Sequence, residues 1–563
     1  MRIAAHHEYA VIIPFTGGHV KRSKIALASL TLLTAGVIAL SGCAGGGGNS
    51  GDNGKTNGAG NSASIITVNG NEPENPLIPT NTNEVGGGKI LDSIFAGLAY
   101  YDGDGKLVND MAESITVNDP SNLTIKVKKG NKFTNGEEVT ADSFINAWQY
   151  GAKFSNKQLN SSWFADIEGF DAAKDSELTG LKKTDDYTFT VKLNSPVAAD
   201  WSQRLGYSAY YPLPSVAFDD IKSYGEHPIG NGPYKLQSDS AWQHDVQIDL
   251  VKNDEYTGGR QVKNGGITIK FYASQDSAYA DLIGNNLDVL DAIPPSAFAT
   301  FEKDLGDRAV NQPAAIFQSF SIPGDADHFT GDEGELRRQA ISLAINREQI
   351  TKTIFNNTRT PASDFTSPVI NGWSDSLTGA DVLKYNPDEA KKLWAQADAI
   401  SKWSGTFQIA YNADGGHKEW VDAVSNSIKN TLGIDASGKS YVDFATLRAD
   451  VNARKIKTAF RTGWQADYPG MYNFLQPLYS TGASSNDTDY SNKEFDALLA
   501  SGASAADQDT AVADYQKAQE ILLMDLPAIP LWYSNVTGGF AEGVNNVTFG
   551  WNSVPLYYEI TKG

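Results

Sequence analysis

Phe460-Arg461-Thr462-Gly463-Trp464-Gln465-Ala466-Asp467-Tyr468-Pro469 places a single carboxylate among aromatic and apolar neighbours. Just upstream, Ile456-Lys457-Thr458-Ala459-Phe460 has the alternation and β-branched content of a short strand, and Pro469 forbids its continuation. Gly463, Trp464 and Asp467 are therefore expected where a strand gives way to a loop, a usual place for binding groups on a rigid scaffold. An Asp in such surroundings needs a partner, because an unpaired buried carboxylate is costly. The partner is either an internal Arg or Lys or a cationic ligand. The ten residues alone leave both open.

The N-terminus bounds the setting. Lys21-Arg22-Ser23-Lys24 precedes a run of apolar and small residues from Ile25 to Leu40, and Leu40-Ser41-Gly42-Cys43 follows. A basic segment, a short apolar segment and small residues before a cut describe a secretory signal over residues 1–42. The run is short for a membrane span. Residues 1–19 fit no targeting pattern, and initiation at Val20 would leave an ordinary signal. Leu40-Ser41-Gly42-Cys43 resembles the lipobox of bacterial lipoproteins, which implies cleavage before Cys43 and diacylglyceryl attachment to its sulfur. Two acyl chains suffice for stable tethering. Cys43 is the only cysteine of 563 residues, so disulfides, Cys-based metal sites and a Cys nucleophile are excluded. Residues 43–64 continue as AGGGGNSGDNGKTNGAGNSAS after the Cys, a composition that cannot bury a core and reads as a flexible tether.

Removing a leader of net charge +3 takes the formal charge from −21 to −24. Phosphate-binding surfaces need the opposite sign, so nucleic acid is not an expected partner. The length is too great for one core and implies two to four domains.

From Ile65 the chain turns globular. Strands are expected over Ile65–Val68, Leu123–Val127, Tyr187–Leu193, Val246–Leu250 and Ile267–Phe271, and helices over Lys89–Leu98 and from Thr140, as cap, to Tyr150. Phe133-Thr134-Asn135-Gly136 and Gly230-Asn231-Gly232-Pro233-Tyr234 read as tight turns. A helix from Glu335 to Ile350 shares Leu336, Ala340, Leu343 and Ala344 on one face, and Asp509 to Leu526 repeats the pattern. Helices and strands alternate between about 380 and 465, as an α/β layer requires.

Leu123 to Gly136 with Val139-Thr140-Ala141-Asp142 resembles a segment of the peptide-binding components of bacterial ABC importers, the oligopeptide- and dipeptide-binding proteins. Four more segments are similar to motifs of that family, in its order: Pro228 to Tyr234, Ala340 to Glu348, Trp464 to Pro469, and Pro527-Ala528-Ile529-Pro530-Leu531-Trp532. The resemblance implies an α/β, two-lobed, periplasmic-binding-protein-like fold (type II) with two hinge-crossing strands and an extra subdomain inserted in lobe I. It places lobe I at 65–99, 225–318 and 532–563, the insert at 100–224 and lobe II at 319–531. The crossings are expected near Ile316–Ile322 and Ile529–Ser534.

The resemblance also implies a role for each candidate residue. Asp467 pairs with the α-ammonium of a bound peptide. Main-chain groups around Gly463, Gln465 and Val85 bond the peptide backbone as an added strand. Trp464 and Trp163 wall the first side-chain pockets. Arg461 answers a carboxylate, either the peptide's C-terminus or Asp467. The implied protein is a monomeric substrate-binding lipoprotein, not an enzyme, that uses no cofactor and hands short peptides to a membrane permease. An oligosaccharide, a nickel chelate or an exported hydrolase are the alternatives.

Two decoys need separate treatment. Gly433-Ile434-Asp435-Ala436-Ser437-Gly438-Lys439-Ser440 matches the phosphate-binding P-loop string, but Trp420-Val424-Ile428-Leu432 puts a helix, not a strand, before it. After the leader, His227, His244, His328 and His417 stand without metal-ligand spacing, and no Gly-x-Ser-x-Gly elbow occurs.

Overall fold

The computed structural model describes residues 63–563, except 414–415, 443 and 484. The signal segment, Cys43 and the tether lie outside the described residues.

A single hydrogen-bonded sheet runs through both lobes. In the first lobe, strand Ile65–Gly70 lies parallel to Gly266–Phe271, which pairs antiparallel with Gln247–Lys252. In the second lobe, Thr406–Asn412 lies parallel to both Asp435–Tyr441 and Ala459–Gln465. Two long antiparallel strands, Ala309–Ser321 and Ala528–Phe540, join these halves. Their pairing shifts register between Pro313 and Phe317 and again between Gln318 and Ser319. Pro313 has no N–H to give, so the ladder is interrupted where the chain passes from one lobe to the other.

A separate four-stranded antiparallel sheet is formed by Ala112–Asp119, Asn122–Val127, Thr188–Lys192 and Leu181–Asp185. It has no core of its own. Leu123, Ile125, Phe189 and Val191 belong to the same buried cluster as Ile66, Val68 and Ile269 of the first lobe. Trp148, fully buried on the helix Ala141–Ala152, packs edge-on to Phe189 and Trp201. A second, distinct core gathers Phe317, Phe320 and Trp532 of the crossing strands with Ile409, Val424, Phe474 and Leu522.

Several expected elements shift for identifiable reasons. The first helix is Val85–Ile94 rather than Lys89–Leu98, because both Glu84 carboxylate oxygens accept the Gly87 N–H and cap it four residues early. It ends at Phe95 because Gly230 and Gly232 pack against its last turn; a Cβ on Gly230 would lie 1.9 Å from the Ile94 carbonyl oxygen. Asn231, buried between them, bonds both the N–H and the carbonyl of Ala96. The Gly-Asn-Gly segment is thus a helix stop as well as a turn.

The helix expected over Glu335–Ile350 is two helices, Gly331–Leu343 and Arg347–Phe355. Asn346 caps the second by accepting from the Gln349 N–H. Arg347, 3% exposed, turns inward and donates to the carbonyls of Ser342, Leu383 and Pro530, tying this break to the second crossing strand. Burial without a carboxylate pulls its guanidinium down to about 9.

The P-loop string is no loop. Gly433 closes the helix Lys418–Leu432 with φ of 71°, and Ser437 to Ser440 lie inside the strand Asp435–Tyr441.

Candidate functional site

The strand Ala459–Gln465 starts three residues later than its local pattern suggests and runs through Gly463 and Trp464. Those residues are therefore inside a strand, not at its end. Pairing with the first crossing strand holds it there, Phe317 opposite Trp464 and Gln318 opposite Gly463. This long-range ladder outweighs the low strand propensity of the glycine.

The two edges of this strand differ. Ala466 N–H donates to the Ala315 carbonyl at 2.9 Å, which sets the phase of the antiparallel ladder. By alternation, the main-chain groups of Trp464 and Thr462 face the crossing strand, and those of Gln465 and Gly463 face away from it. On that second side the neighbour Thr406–Asn412 pairs only at Ala459 and Phe460. Beyond Phe460, no strand of the described residues pairs with it. Gly463 is exposed and Gln465 half-buried.

Asp467 stands two residues past the strand and is half-buried. Its position is set by Asn473 on the first turn of the helix Met471–Tyr479. The Asn473 Oδ1 accepts from the Asp467 N–H at 3.0 Å and from the Trp464 indole Nε1 at 3.1 Å. Its Nδ2 donates to Asp467 Oδ2 at 3.0 Å. Nothing in the local sequence marked Asn473; its spacing from Asp467 reaches the site only because Gly470 begins a helix there. Arg461, half-buried in the same strand, donates from Nε to Asn412 Oδ1 at 2.8 Å.

The next residue, Tyr468, points toward the helix Ala198–Gln203. Its hydroxyl meets the Asp200 carboxylate, which forms an ion pair with Arg204 at 2.7 Å; Arg204 also reaches Asp166 at 2.7 Å. Burial pushes the Asp200 carboxyl up, against the pull of Arg204. Trp163 lies behind Tyr468, edge-on at 6.4 Å, and stacks on Tyr207 at 4.1 Å. It is 9% exposed, so most of its ring is core.

Val85 opens the first helix of the other lobe, 44% exposed, beside Glu84. Burial pushes the Glu84 carboxyl up despite the bonds it accepts from Gly87. The structure thus gathers Arg461, Gly463, Trp464, Gln465 and Asp467 on one strand and its loop, with Trp163 one residue layer behind. Val85 stands on the opposite lobe. A separate first-lobe cavity walled by Tyr100, Tyr101, Tyr211 and Trp551 includes none of them.

The histidines have other engagements. His244 lies 2.7 Å from Glu72, and His328 lies 2.7 Å from Glu333. Among the described residues there is no group of three side chains able to hold a metal ion, and no helix long and apolar enough to cross a membrane.

The profile of the bacterial extracellular solute-binding proteins, family 5 Middle, matches residues 106–486. The oligopeptide-binding protein OppA of Bacillus subtilis (strain 168) is 25% identical over 555 residues, 92% of this chain and 98% of that protein. The dipeptide-binding protein DppE of the same organism is 28% identical over 488 residues, 84% of this chain and 87% of that one. Among solved structures, the periplasmic murein tripeptide-binding protein MppA in its unliganded open form superposes with a TM-score of 0.79 at 19% identity, covering 90% of this chain and 99% of that chain. The chain belongs to the bacterial extracellular solute-binding proteins, family 5, which are binding proteins and not enzymes.

Proposed function

We propose that this protein is the membrane-anchored substrate-binding component of an ABC importer, taking short peptides between its lobes and passing them to a permease. The observation that carries this reading is the arrangement at the end of the strand Ala459–Gln465. The alternation there turns the main chain of Gly463 and Gln465 away from the first crossing strand, past the point where Thr406–Asn412 pairs on the other side, with the Asp467 carboxylate two residues further on. An extended peptide laid along that edge bonds Gly463 and Gln465 through its backbone and presents its α-ammonium to Asp467. Backbone bonding is indifferent to side chains, so one site accepts many sequences. Trp464 and Trp163 border the first side-chain pockets, and Val85 contributes main-chain contacts from the other lobe. Arg461 serves the peptide's carboxylate or Asp467. The names of the OppA and DppE relatives favour peptides over other solutes.

In this reading lobe I comprises 65–99, 225–318 and 532–563, the insert 100–224 and lobe II 319–531. Closure is a hinge motion at the crossing strands, and ligand stabilises the closed form only by its greater affinity for it. The protein acts as a monomer. Cys43 carries the lipid, and the segment 44–64 spaces the lobes from the membrane.

The test uses protein beginning at residue 44 and calorimetric titration with short peptides. Peptides with free N-termini should bind at least about tenfold more tightly than their N-acetylated forms, about 1.4 kcal/mol. Equal affinity for both, or tight binding of a neutral oligosaccharide instead, overturns the Asp467 role. Mass spectrometry of the mature protein from membranes should find a diacylglyceryl group on the Cys43 sulfur; an unmodified Cys43 would refute the lipid anchor.

A further inference from the structure

We infer that Asn473 is a positioning residue of the ligand site, orienting the Asp467 carboxylate and the Trp464 ring as one unit. This rests on the peptide-binding reading above and assigns what makes its ammonium site selective. Three contacts converge on one side-chain amide. Its oxygen accepts from the Asp467 N–H and the Trp464 indole N–H, at 3.0 and 3.1 Å, and its nitrogen donates to Asp467 Oδ2 at 3.0 Å. Asn473 is 7% exposed. Water therefore has little access to the amide itself, and an aliphatic replacement gives up all three contacts at once.

The chemistry of the residue type matters. An amide offers an acceptor and a donor on one planar group. Asp467 needs both, because its N–H and its carboxylate face the same neighbour. A hydroxyl or an aliphatic side chain cannot span the set, and a carboxylate would supply the acceptor while placing negative charge against Asp467. The backbone anchors the amide: Asn473 lies on the first turn of the helix Met471–Tyr479, with its N–H bonded to the Gly470 carbonyl at 3.1 Å. The positive end of that helix dipole favours an ionised carboxylate nearby.

The consequence is a division of labour. Asp467 supplies the charge and Trp464 a wall, and Asn473 fixes the angle between them. Without it the carboxylate rotates, and an ammonium entering along the strand edge no longer meets a preorganised acceptor.

The experiment measures the ratio of dissociation constants for an N-acetylated and a free tripeptide, trialanine for example, in wild type, Asn473→Ala and Asn473→Asp. In Asn473→Ala the ratio should fall at least fivefold, with the acetylated peptide's affinity changing less than twofold. Asn473→Asp keeps the size and the acceptor, so it guards against a folding defect in the first variant. Its ratio should depend on pH between 5 and 8 more steeply than that of wild type, because two carboxylates in contact share a proton. A wild-type ratio near one refutes the Asp467 reading itself. A wild-type preference that survives intact in both variants overturns the role of Asn473 alone, as does equal weakening of both peptides, which would mark a merely structural residue.

Discussion

The hydroxyl of Tyr468 lies 2.9 and 3.1 Å from the two carboxylate oxygens of Asp200 on the helix Ala198–Gln203, and donates to them. The residue before it, Asp467, is held by Asn473 within the second lobe. Two consecutive residues are thus fastened to different parts of the fold, one to the helix Met471–Tyr479 and the other to the helix Ala198–Gln203. Tyr468 is packed in the first lobe's buried cluster, not the second's. A movement of one lobe against the other must either break this contact or pivot about it.

Tyr468→Phe keeps the ring against Trp163 and removes only the hydroxyl. Asp200 retains Arg204, so the loss is that of one hydrogen bond to a charged acceptor, about 1.5–3 kcal/mol. Urea denaturation should show an unchanged slope and a midpoint lowered by that free energy divided by the slope. An unchanged midpoint would mean that the bond contributes nothing to holding the lobes together.

Glycines give a contrast of sign within one helix and its stop. A Cβ on Gly88, inside the helix Val85–Ile94, meets nothing within 4 Å, so Gly88→Ala should stabilise the protein by about 0.5–1 kcal/mol. A Cβ on Gly230 would fall 1.9 Å from the Ile94 carbonyl oxygen, and backbone cannot yield cheaply. Gly230→Ala should cost about 3 kcal/mol or more. Thermal unfolding of the two variants side by side checks both signs; a destabilised Gly88→Ala would show that the helix N-terminus is strained in a way its geometry does not reveal.

Asp364 provides a pH dependence. It accepts from Thr366 N and the Tyr533 hydroxyl, each at 2.8 Å, and burial pushes its carboxyl up to about 6. The folded state therefore holds this proton more tightly than the unfolded chain. Its contribution is complete below the ordinary value of 3.8 and is lost as pH rises through about 6. Asp364→Asn removes the titration and keeps the size, and the Thr366 hydroxyl, 2.7 Å from Oδ2, can accept from the new amide. Relative to wild type, the variant should gain roughly 2–3 kcal/mol between pH 4 and pH 8. A stability difference that does not change with pH would refute the raised carboxyl.

The amino-acid sequence was enough for the family and the two-lobed α/β fold, because short-range motifs recur in order along the chain and each encodes a local necessity. Phe133 to Gly136 turns with Gly136 at φ of 89°, and Thr140 caps the helix that follows by giving its N–H to Ser143 Oγ. Such features need only neighbours in sequence. It also singled out Asp467 and Trp464, since a lone carboxylate among aromatic residues is legible at short range.

Other features depend on partners far along the chain. The strand carrying Gly463 is drawn out to Gln465 by a crossing strand more than a hundred residues earlier. The break before Arg347 answers a carbonyl of the second crossing strand, Pro530. The anchoring of Tyr468 on Asp200 spans 268 positions. Even Asn473, six residues from Asp467, carries no local signal, because an asparagine in the first turn of a helix is ordinary until folding brings a carboxylate, an N–H and an indole to its two polar atoms. Periodicity and turn chemistry act over a few residues, whereas hydrogen-bond partners and burial are fixed by packing, and that is why the stretch carrying Asp467 stood out while its support did not.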